Sequence, residues 1–275
     1  MRPEVQAAIR LFVQTVALAP ESALLLDYDG TLAPFHVKRD QAFPYPGVAL
    51  LLQEIVRDSR TRVVVVTGRD VNDLMPLLNI HPRPEIWGSH GLQRLRPNGI
   101  PEMPKLDSET LNGLSDAERW LSHKHLRHRA EFKPGGIAIH WRGLSAADAA
   151  DLRAQVLLGW RPIVAQSSLD LLEFDGGIEI RARQANKGDA VRVFLSEISP
   201  DTPVAYLGDD NTDESAFQAI GDRGVSILVR ADRRESAAQL WLRPPEDVIE
   251  FLGMWLRSSL EGGTLNGGEA KVVNG

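Results

Sequence analysis

Two aspartates stand two residues apart at the end of an apolar stretch of this sequence. The segment LLLDYDGTL (24–32) runs three leucines directly into Asp27 and Asp29, and Gly30 and Thr31 follow at once. A charge at the end of a buried strand is unfavourable unless a partner neutralises it. Carboxylates in such a place can act as nucleophiles, transfer protons or bind hard cations. Taken alone, the segment fits a strand-ending turn equally well.

Residues with related chemistry follow the other apolar segments of the chain. They are Thr67, Gly68 and Arg69 after RVVVV (62–66), His90 in GSHG (88–91), Lys187 before a helical stretch, and Asp209, Asp210 and Asp213 in GDDNTDE (208–214). The carboxyl ends of parallel strands meet at one edge of an open sheet, so we expect these groups to converge. Clustered carboxylates repel each other, and a divalent cation removes that repulsion. Because the sequence has no cysteine, the metal ligands must be oxygen or imidazole, which favours Mg²⁺.

The lysine and the hydroxyl in this set indicate a phosphate site. An ammonium group, a hydroxyl and backbone N–H groups are the donors from which phosphoryl oxygens accept hydrogen bonds. A carboxylate beside them can attack phosphorus and form an aspartyl-phosphate, while a second carboxylate gives a proton to the leaving group and takes one from water. The set therefore predicts metal-assisted phosphoryl chemistry.

The elements that must position these residues alternate between strand and helix. Apolar strands are predicted at 23–28, 62–66, 85–87, 203–208 and 224–229, and amphipathic helices at 48–58, 70–78, 187–198, 213–220 and 245–256. This alternation predicts an α/β fold with a parallel sheet covered by helices on both faces.

A segment of different character interrupts that alternation. Two runs of alternating residues, 132–143 and 168–183, lie there, and the second contains the hairpin signal Gly176-Gly177. We expect a core domain formed by residues 1–95 and 185–258, with a smaller, mostly antiparallel α+β domain inserted at 96–184. The glycine- and asparagine-rich residues 259–275 are predicted to be a disordered tail.

The composition argues against several classes of protein. The 275 residues carry a net charge of -6, so no basic balance indicates a nucleic-acid partner. No apolar run approaches the ~20 residues of a membrane span. Near the start, Val5, Ile9, Val13 and Val16 recur at helical spacing among charged residues, which is typical of an amphipathic helix rather than a signal peptide. We expect a cytoplasmic monomer that binds neither nucleic acid nor membrane.

Four segments, DYDGT, VVTGR, Lys187 and GDDNTDE, resemble in type and order the four motifs of haloacid dehalogenase (HAD) superfamily phosphatases. The resemblance implies a Rossmann-like core and an inserted C2-type cap that closes over the site and reads the leaving group. It also implies roles: Asp27 as nucleophile, Asp29 as general acid and base, Thr67 and Lys187 as phosphoryl donors, and Asp27, the backbone carbonyl of Asp29 and Asp209 as Mg²⁺ ligands. Asp213 would support the metal directly or through water. Which of Asp209, Asp210 and Asp213 bind it directly stays open.

Further segments resemble the trehalose-6-phosphate phosphatases of that superfamily, over residues 20–255. They are GSHG, E-x-K at 131–133, H-x-R at 140–142, and E-x-R at 179–181 before N-K-G. The family commonly has tyrosine where Trp141 stands and proline where Ala182 stands. The resemblance implies a substrate-binding set of Glu131, Lys133 and Glu179, with Gly68, Arg69, His90, His140 and Arg142 as further candidates.

The activity implied is Mg²⁺-dependent hydrolysis of trehalose 6-phosphate, in functional pairing with a trehalose-6-phosphate synthase. One alternative is a phosphatase for another sugar phosphate, such as glucosylglycerol phosphate, mannosyl-3-phosphoglycerate or sucrose 6-phosphate. Another is a phosphomutase that returns the phosphoryl group to the sugar. A catalytically silent regulatory domain is a third class, but its expected signature is the loss of Asp27 or Asp29, and both are present.

Overall fold

Two β-sheets carry the fold of the described part of the chain, one large and mostly parallel, the other small and antiparallel. The computed structural model describes residues 1–57, 60–174 and 176–266, and in 262–266 only the backbone. Among these residues, every helix is too short or too polar to cross a membrane.

The strands and helices follow each other along the chain with the predicted alternation. The strands are β1 (Ser22–Leu26), β2 (Thr61–Val66), β3 (Glu85–Gly88), β4 (Gln93–Leu95), β5 (Ala130–Lys133), β6 (Gly136–His140), β7 (Leu169–Phe174), β8 (Gly177–Ala182), β9 (Val204–Gly208), β10 (Val225–Val229) and β11 (Leu240–Leu242). The helices are α1 (Pro3–Leu18), α2 (Val48–Arg57), α3 (Val71–Leu78), α4 (Ser108–His123), α5 (Ala146–Val164), α6 (Lys187–Ser196), α7 (Glu214–Ile220) and α8 (Glu246–Asn266).

The large sheet has the strand order β11-β10-β9-β1-β2-β3-β4. Neighbouring strands pair in parallel except β3 and β4, which are antiparallel. The strand β1 lies in the middle, between β2 and β9. The carboxyl ends of these three strands therefore lie side by side, and the loops that follow them share one edge of the sheet.

Burial on both faces fixes the position of β1. Successive side chains of a strand point to opposite faces, so Leu24 and Leu26 pack with α1, α2, α3 and α8, while Ala23 and Leu25 pack with α6 and α7. All four side chains are fully buried. Each leucine contributes roughly 1.5–3 kcal/mol through burial, which holds the end of the strand, and so Asp27, in place.

The small sheet has the order β5-β6-β8-β7, with antiparallel pairs throughout. Helices α4 and α5 cover one face, where Leu121 and Trp160 pack against Ile139 and Ile178. Because side chains alternate across a strand, the polar residues of β5, β6 and β8 lie on the opposite face, away from α4 and α5. These residues are Glu131, Lys133, His140, Glu179 and Arg181.

The last helix is longer than the sequence predicts. We expected a disordered tail from residue 259, but α8 continues to Asn266. Ser259 is buried, and its carbonyl accepts a hydrogen bond from Arg60 Nη1 at 2.5 Å. Ser259 therefore packs against the core, and the described backbone of 259–266 is helical where a disordered tail was expected. The remainder of the expected tail, 267–275, lies outside the described residues.

Two short strands were not predicted. Both β4 and β11 have three residues and pair at the two edges of the large sheet. Three residues give too little periodicity for a sequence pattern to indicate a strand. Their pairing depends on neighbours that only the folded chain brings together.

Candidate active site

Three carboxylates meet at the carboxyl edge of the large sheet. Asp27 follows β1, Asp209 follows the neighbouring strand β9, and Asp213 ends the 3₁₀ turn before α7. Each residue offers a carboxylate oxygen, and these oxygens all lie within 4.8 Å of one another. All three side chains are buried, so water cannot compensate their charge.

Lys187, the first residue of α6, reaches into this cluster. Its Nζ donates hydrogen bonds to Asp27 Oδ1 at 2.6 Å and to Asp213 Oδ1 at 2.8 Å. The Tyr206 hydroxyl donates to the same Asp213 oxygen at 2.6 Å, and the Thr31 hydroxyl donates to Asp27 Oδ2 at 3.3 Å. The ammonium group thus ties the carboxylates that follow β1 and β9 to one helix N-terminus.

Asp213 and Asp209 are bonded differently. The second oxygen of Asp213, Oδ2, accepts the backbone N–H groups of Asp209 and Asp210 at 3.2 and 3.1 Å. Both Asp213 oxygens are therefore occupied by protein donors. In contrast, no described residue donates a hydrogen bond to the Asp209 carboxylate, although only 2% of this residue is exposed. A buried carboxyl group without donors is stable only when it is protonated or has a cation beside it.

Two glycines make the close approach of these carboxylates possible. A Cβ at Gly30, whose φ is +85°, would lie 2.2 Å from Asp209 Oδ2. A Cβ at Gly208 would lie 2.4 Å from Asp213 Cγ. Any larger residue at either position would push a carboxylate out of the cluster. Close packing against the carboxylates therefore explains why glycine stands at these positions of DYDGT and GDDNTDE.

The cluster carries more negative charge than Lys187 can neutralise. Burial raises the pKa of Asp27 to about 7, with Lys187 opposing the shift and the nearby Asp213 adding to it. Burial and the charge of Asp27 raise the pKa of Asp209 well above its usual range. Burial alone would lower the pKa of Lys187, but Asp213 and Asp27 raise it, so the ammonium stays charged. Ionising all three carboxyl groups beside the one ammonium would leave a net charge of two minus, which a divalent cation would balance.

Asp29 is separated from this cluster and bound to Arg69. Arg69 Nε and Nη2 donate to Asp29 Oδ2 and Oδ1 at 2.7 and 2.6 Å, a bidentate ion pair. The Asp29 side chain is 29% exposed, unlike that of Asp27. The Thr67 hydroxyl accepts the backbone N–H of Arg69 at 3.1 Å, which leaves its own proton available to another acceptor. The two aspartates of DYDGT therefore stand in different environments.

The polar face of the small sheet contacts this edge of the large sheet. Lys133 Nζ lies 3.0 Å from the carbonyl oxygen of Gly68 and 2.6 Å from Glu179 Oε1. Glu179 Oε2 lies 2.8 Å from His90 Nε2. Glu131 Oε2 lies 2.8 Å from His140 Nε2. The candidates of the small sheet thus come together with Gly68 and His90, which follow β2 and β3.

Burial and neighbouring charges determine the protonation states of Glu131, Glu179 and His90. Burial alone would raise the pKa of Glu131 and of Glu179, but the charge of Lys133 lowers both pKa values. The contact with His140 lowers the pKa of Glu131 further, and the contact with His90 lowers that of Glu179. Both glutamates are therefore ionised at neutral pH. Burial lowers the pKa of His90 to about 4, so its imidazole is neutral and donates Nε2–H to Glu179.

One cavity between the two sheets contains most of the residues that the sequence singled out. Those on its wall are Asp27, Asp29, Gly68, Arg69, His90, Glu131, Lys133, His140, Arg142, Glu179, Lys187, Asp209 and Asp210. Thr67 and Asp213 are fully buried behind the wall. The carboxylate cluster contains Asp209 and Asp213 but not Asp210, whose carboxylate accepts the N–H of Asn211 at 2.7 Å as a helix cap.

Sequence reasoning missed several residues of this wall. They are Phe35, His36 and Arg39 in the loop after β1, and Phe174 at the end of β7. The loop residues had a usable signal, because residues 33–47 leave the same sheet edge as Asp27 and Asp29.

The fold is that of the HAD-like hydrolases, and the carboxylate cluster lies at the carboxyl edge of its large sheet. A haloacid dehalogenase-like hydrolase from B. subtilis superposes with a TM-score of 0.61 at 15% identity, covering 84% of this chain and 99% of that one. The C-terminal domain of the C. albicans trehalose-6-phosphate phosphatase superposes with a TM-score of 0.78 at 19% identity, covering 90% of this chain and 96% of that one. At such identities these likenesses establish the fold.

Sequence comparison assigns the family. A model of the trehalose-phosphatase family matches residues 25–245. The trehalose-phosphate phosphatase of Mycobacterium marinum is 30% identical over 253 residues, which are 85% of this chain and 61% of that relative. The chain belongs to the trehalose-phosphatase family, and it spans about three fifths of the length of this relative.

Proposed function

We propose that this protein hydrolyses trehalose 6-phosphate to trehalose and inorganic phosphate, with Mg²⁺ as its cofactor. The observation that carries the proposal is a single cavity with two kinds of wall. Asp27 and Lys187 line one part of it, and Glu131, Lys133 and Glu179 line another. A sugar phosphate needs both, because its phosphoryl group requires cationic donors and its hydroxyl groups require paired donors and acceptors. Family membership supports the choice of trehalose as the sugar.

Asp27 is the proposed nucleophile. One of its carboxylate oxygens attacks phosphorus, the bond between phosphorus and the sugar oxygen breaks, and an aspartyl-phosphate forms. In the second step water attacks phosphorus, the acyl-phosphate bond breaks and Asp27 is restored as phosphate leaves. Burial and the contact with Lys187 hold Asp27 in one orientation for both steps.

Asp29 is the proposed proton carrier. It gives a proton to the departing sugar oxygen in the first step and takes one from the attacking water in the second. The bidentate contact with Arg69 suits the ionised form that accepts the proton. For the first step Asp29 must be protonated, and we infer that it is then released from Arg69 when substrate binds.

The remaining core residues have binding roles in this proposal. Lys187 and the hydroxyl of Thr67 donate to phosphoryl oxygens, and the Thr67 proton is available because its oxygen accepts from Arg69. The donor-free Asp209 and the neighbouring Asp27 fit a hard cation, with the Asp29 carbonyl as a further ligand and Asp213 in support. When bound, Mg²⁺ would supply positive charge between the carboxylate and the phosphoryl oxygens.

The sugar-binding roles fall on the small sheet. Glu131, Lys133 and Glu179 are the proposed contacts to the sugar hydroxyls, with Arg69, His90, His140 and Arg142 as secondary ones and Gly68 supplying backbone groups. The proposal keeps the small sheet and its helices as the cap, residues 96–184, on a core of 1–95 and 185–258. We also propose that the enzyme is monomeric and cytoplasmic, and that it is paired functionally with a trehalose-6-phosphate synthase.

Phosphate release across a panel of sugar phosphates tests this function. The panel contains trehalose 6-phosphate, glucosylglycerol phosphate, mannosyl-3-phosphoglycerate and sucrose 6-phosphate, each with and without Mg²⁺. We expect the highest kcat/KM for trehalose 6-phosphate and loss of activity with EDTA, because chelation removes the counter-charge of the carboxylates. If trehalose 6-phosphate is not among the best substrates, the assignment of the sugar is wrong. An isomerised sugar phosphate with little free phosphate would favour a phosphomutase instead.

A further inference from the structure

Arg39 connects the two walls of the cavity. It begins a short 3₁₀ turn, Arg39–Gln41, in the loop between β1 and α2, so it belongs to the large-sheet side. Arg39 lines the cavity, and its side chain is 29% exposed. No motif of the sequence contains it, and the proposed function gives it no role.

The guanidinium of Arg39 faces Glu131 of the small sheet. Arg39 Nη1 lies 2.5 Å from Glu131 Oε1, while the other carboxylate oxygen lies 2.8 Å from His140 Nε2. The Oε1 atom has no hydrogen bond of acceptable angle, so its contact with Arg39 is an ion pair by proximity. Arg39 also contributes to the low pKa of Glu131, against the effect of burial. Glu131 is thus held between one group from each side of the cavity.

The backbone of Arg39 is fixed by a separate contact. Its carbonyl oxygen accepts a hydrogen bond from Arg69 Nη1 at 2.8 Å. Arg69 uses its other two guanidinium nitrogens for Asp29. The position of the Arg39 turn is therefore set by the residue that holds the proposed proton carrier, and this contact uses no side-chain atom of Arg39.

A second contact joins the same loop to the small sheet. The Arg142 guanidinium, two residues beyond the end of β6, lies 4.1 Å from the ring centroid of Phe35. Phe35 stands four residues before Arg39 and lines the same cavity. The loop after β1 therefore contacts Arg142 of the H-x-R segment and Glu131 of the E-x-K segment. Of these two contacts, the one made by Arg39 joins two charged side chains.

We propose that Arg39 is a positioning residue that holds the Glu131 carboxylate in place for the sugar and so determines which phosphate esters the site prefers. A carboxylate oxygen can accept two hydrogen bonds, so Glu131 held by Arg39 and His140 retains acceptor capacity for sugar hydroxyls. Without Arg39, one oxygen of a buried carboxylate loses its counter-charge, and the side chain is free to turn away. This inference rests on the proposed sugar-binding role of Glu131.

The test compares a substrate that has the sugar with one that lacks it. For the wild type and Arg39→Ala, kcat/KM is measured with trehalose 6-phosphate and with p-nitrophenyl phosphate. We expect the ratio of the two values to fall by about 10-fold or more, the range for losing a partner of a charged group. The loss should appear in KM for trehalose 6-phosphate rather than in kcat. The reason is that Arg39→Ala keeps the backbone carbonyl that contacts Arg69, and so leaves the contact of Arg69 with Asp29 in place. Arg39→Lys keeps the positive charge and should recover part of the ratio.

Two controls separate positioning from a general effect on the fold. Arg153→Ala removes an exposed ion pair with Glu173, also on the small-sheet side but outside the cavity, and should leave the ratio unchanged. The unfolding temperature of Arg39→Ala is measured beside it. In a Glu131→Gln background, Arg39→Ala should change the ratio by less than about 2-fold, because the residue through which Arg39 acts is already altered.

Two results would overturn the inference. One is a ratio in Arg39→Ala that equals that of the wild type. The other is a full second loss in the Glu131→Gln background, which would make Arg39 independent of Glu131. A wild type that does not prefer trehalose 6-phosphate contradicts the proposed function instead. In that case the sugar phosphate that the wild type prefers replaces trehalose 6-phosphate in the ratio to p-nitrophenyl phosphate, and the wild type and Arg39→Ala are compared in the same way.

Discussion

Asp27 is a carboxylate whose charge the metal-free fold disfavours. Burial raises its pKa from an ordinary value of 3.8 to about 7. In that pH range the folded protein binds a proton that the unfolded chain releases, so the Asp27 contribution to the free energy of unfolding falls as the pH rises from 3.8 towards 7. A divalent cation that replaces this proton removes the penalty, and its binding therefore strengthens over the same interval.

We accordingly predict that Mg²⁺ stabilises the protein more at pH 8 than at pH 5.5. At a concentration 100-fold above the dissociation constant at pH 8, the gain there should be about 2.7 kcal/mol, and the same concentration should give less than about 1 kcal/mol at pH 5.5. Thermal unfolding with and without Mg²⁺, at matched ionic strength, measures both. Asp27→Asn has no proton to exchange and serves as the control. Equal gains at the two pH values would contradict the link to Asp27.

Single residues differ in how far the sequence could predict them. Asp27 and Lys187 belong to spaced motifs, and the structure places both on the cavity wall. The contact of Lys187 with Asp27 and Asp213 was not predicted, because pairs 160 and 26 residues apart leave no local pattern. Arg39 was missed for the same reason, since a lone arginine in a loop resembles any exposed arginine.

At the scale of elements, the end of β9 determines how the carboxylates of the proposed metal site are held. Gly208 leaves the space that Asp213 occupies, and a Cβ there would lie 2.4 Å from Asp213 Cγ. Asp213 in turn holds Lys187 and accepts two backbone N–H groups of the following turn. A side chain at this strand end would therefore disturb the cluster without removing any of its members.

We predict that Gly208→Ala raises the Mg²⁺ concentration for half-maximal activity by about 10-fold or more, as changes to residues that support metal ligands do. Phosphate release titrated with Mg²⁺ is the measurement. Gly253→Ala is a matched control in α8, where the nearest atom is the flexible end of Arg257 at 3.4 Å. The control should keep the Mg²⁺ response of the wild type. An unchanged response in Gly208→Ala would show that the tight packing at β9 has no bearing on the metal.

Elements with long periodic patterns were the most predictable. The strands at 62–66 and 203–208 and the helix at 48–58 appear within one residue of their predicted ends. The end of α8 was not predicted, because the glycine- and asparagine-rich composition after residue 259 indicated disorder. The described backbone is nevertheless helical to Asn266, and Ser259 contacts Arg60 across 199 positions, which no local pattern indicates.

For the whole molecule, function depends on how the two sheets face each other. The large sheet supplies the carboxylates and Lys187, and the small sheet supplies Glu131, Lys133 and Glu179 to the same cavity. The alternation of residues predicted each sheet separately. It could not predict their contacts, such as Lys133 with the carbonyl of Gly68, because these join residues 65 positions apart through side chains. The resemblance to HAD phosphatases implied a cap over the site, but the individual contacts between the two sheets appear only in the folded chain.

The most direct test of the account is phosphate release from trehalose 6-phosphate by the wild type and by Asp27→Asn, with Mg²⁺ present. The account predicts rapid release by the wild type and a kcat more than about 10³-fold lower in the variant, because the nucleophile is lost. Circular dichroism of the variant checks that it is folded. Near-normal turnover by folded Asp27→Asn, or no release by the wild type, would contradict the account.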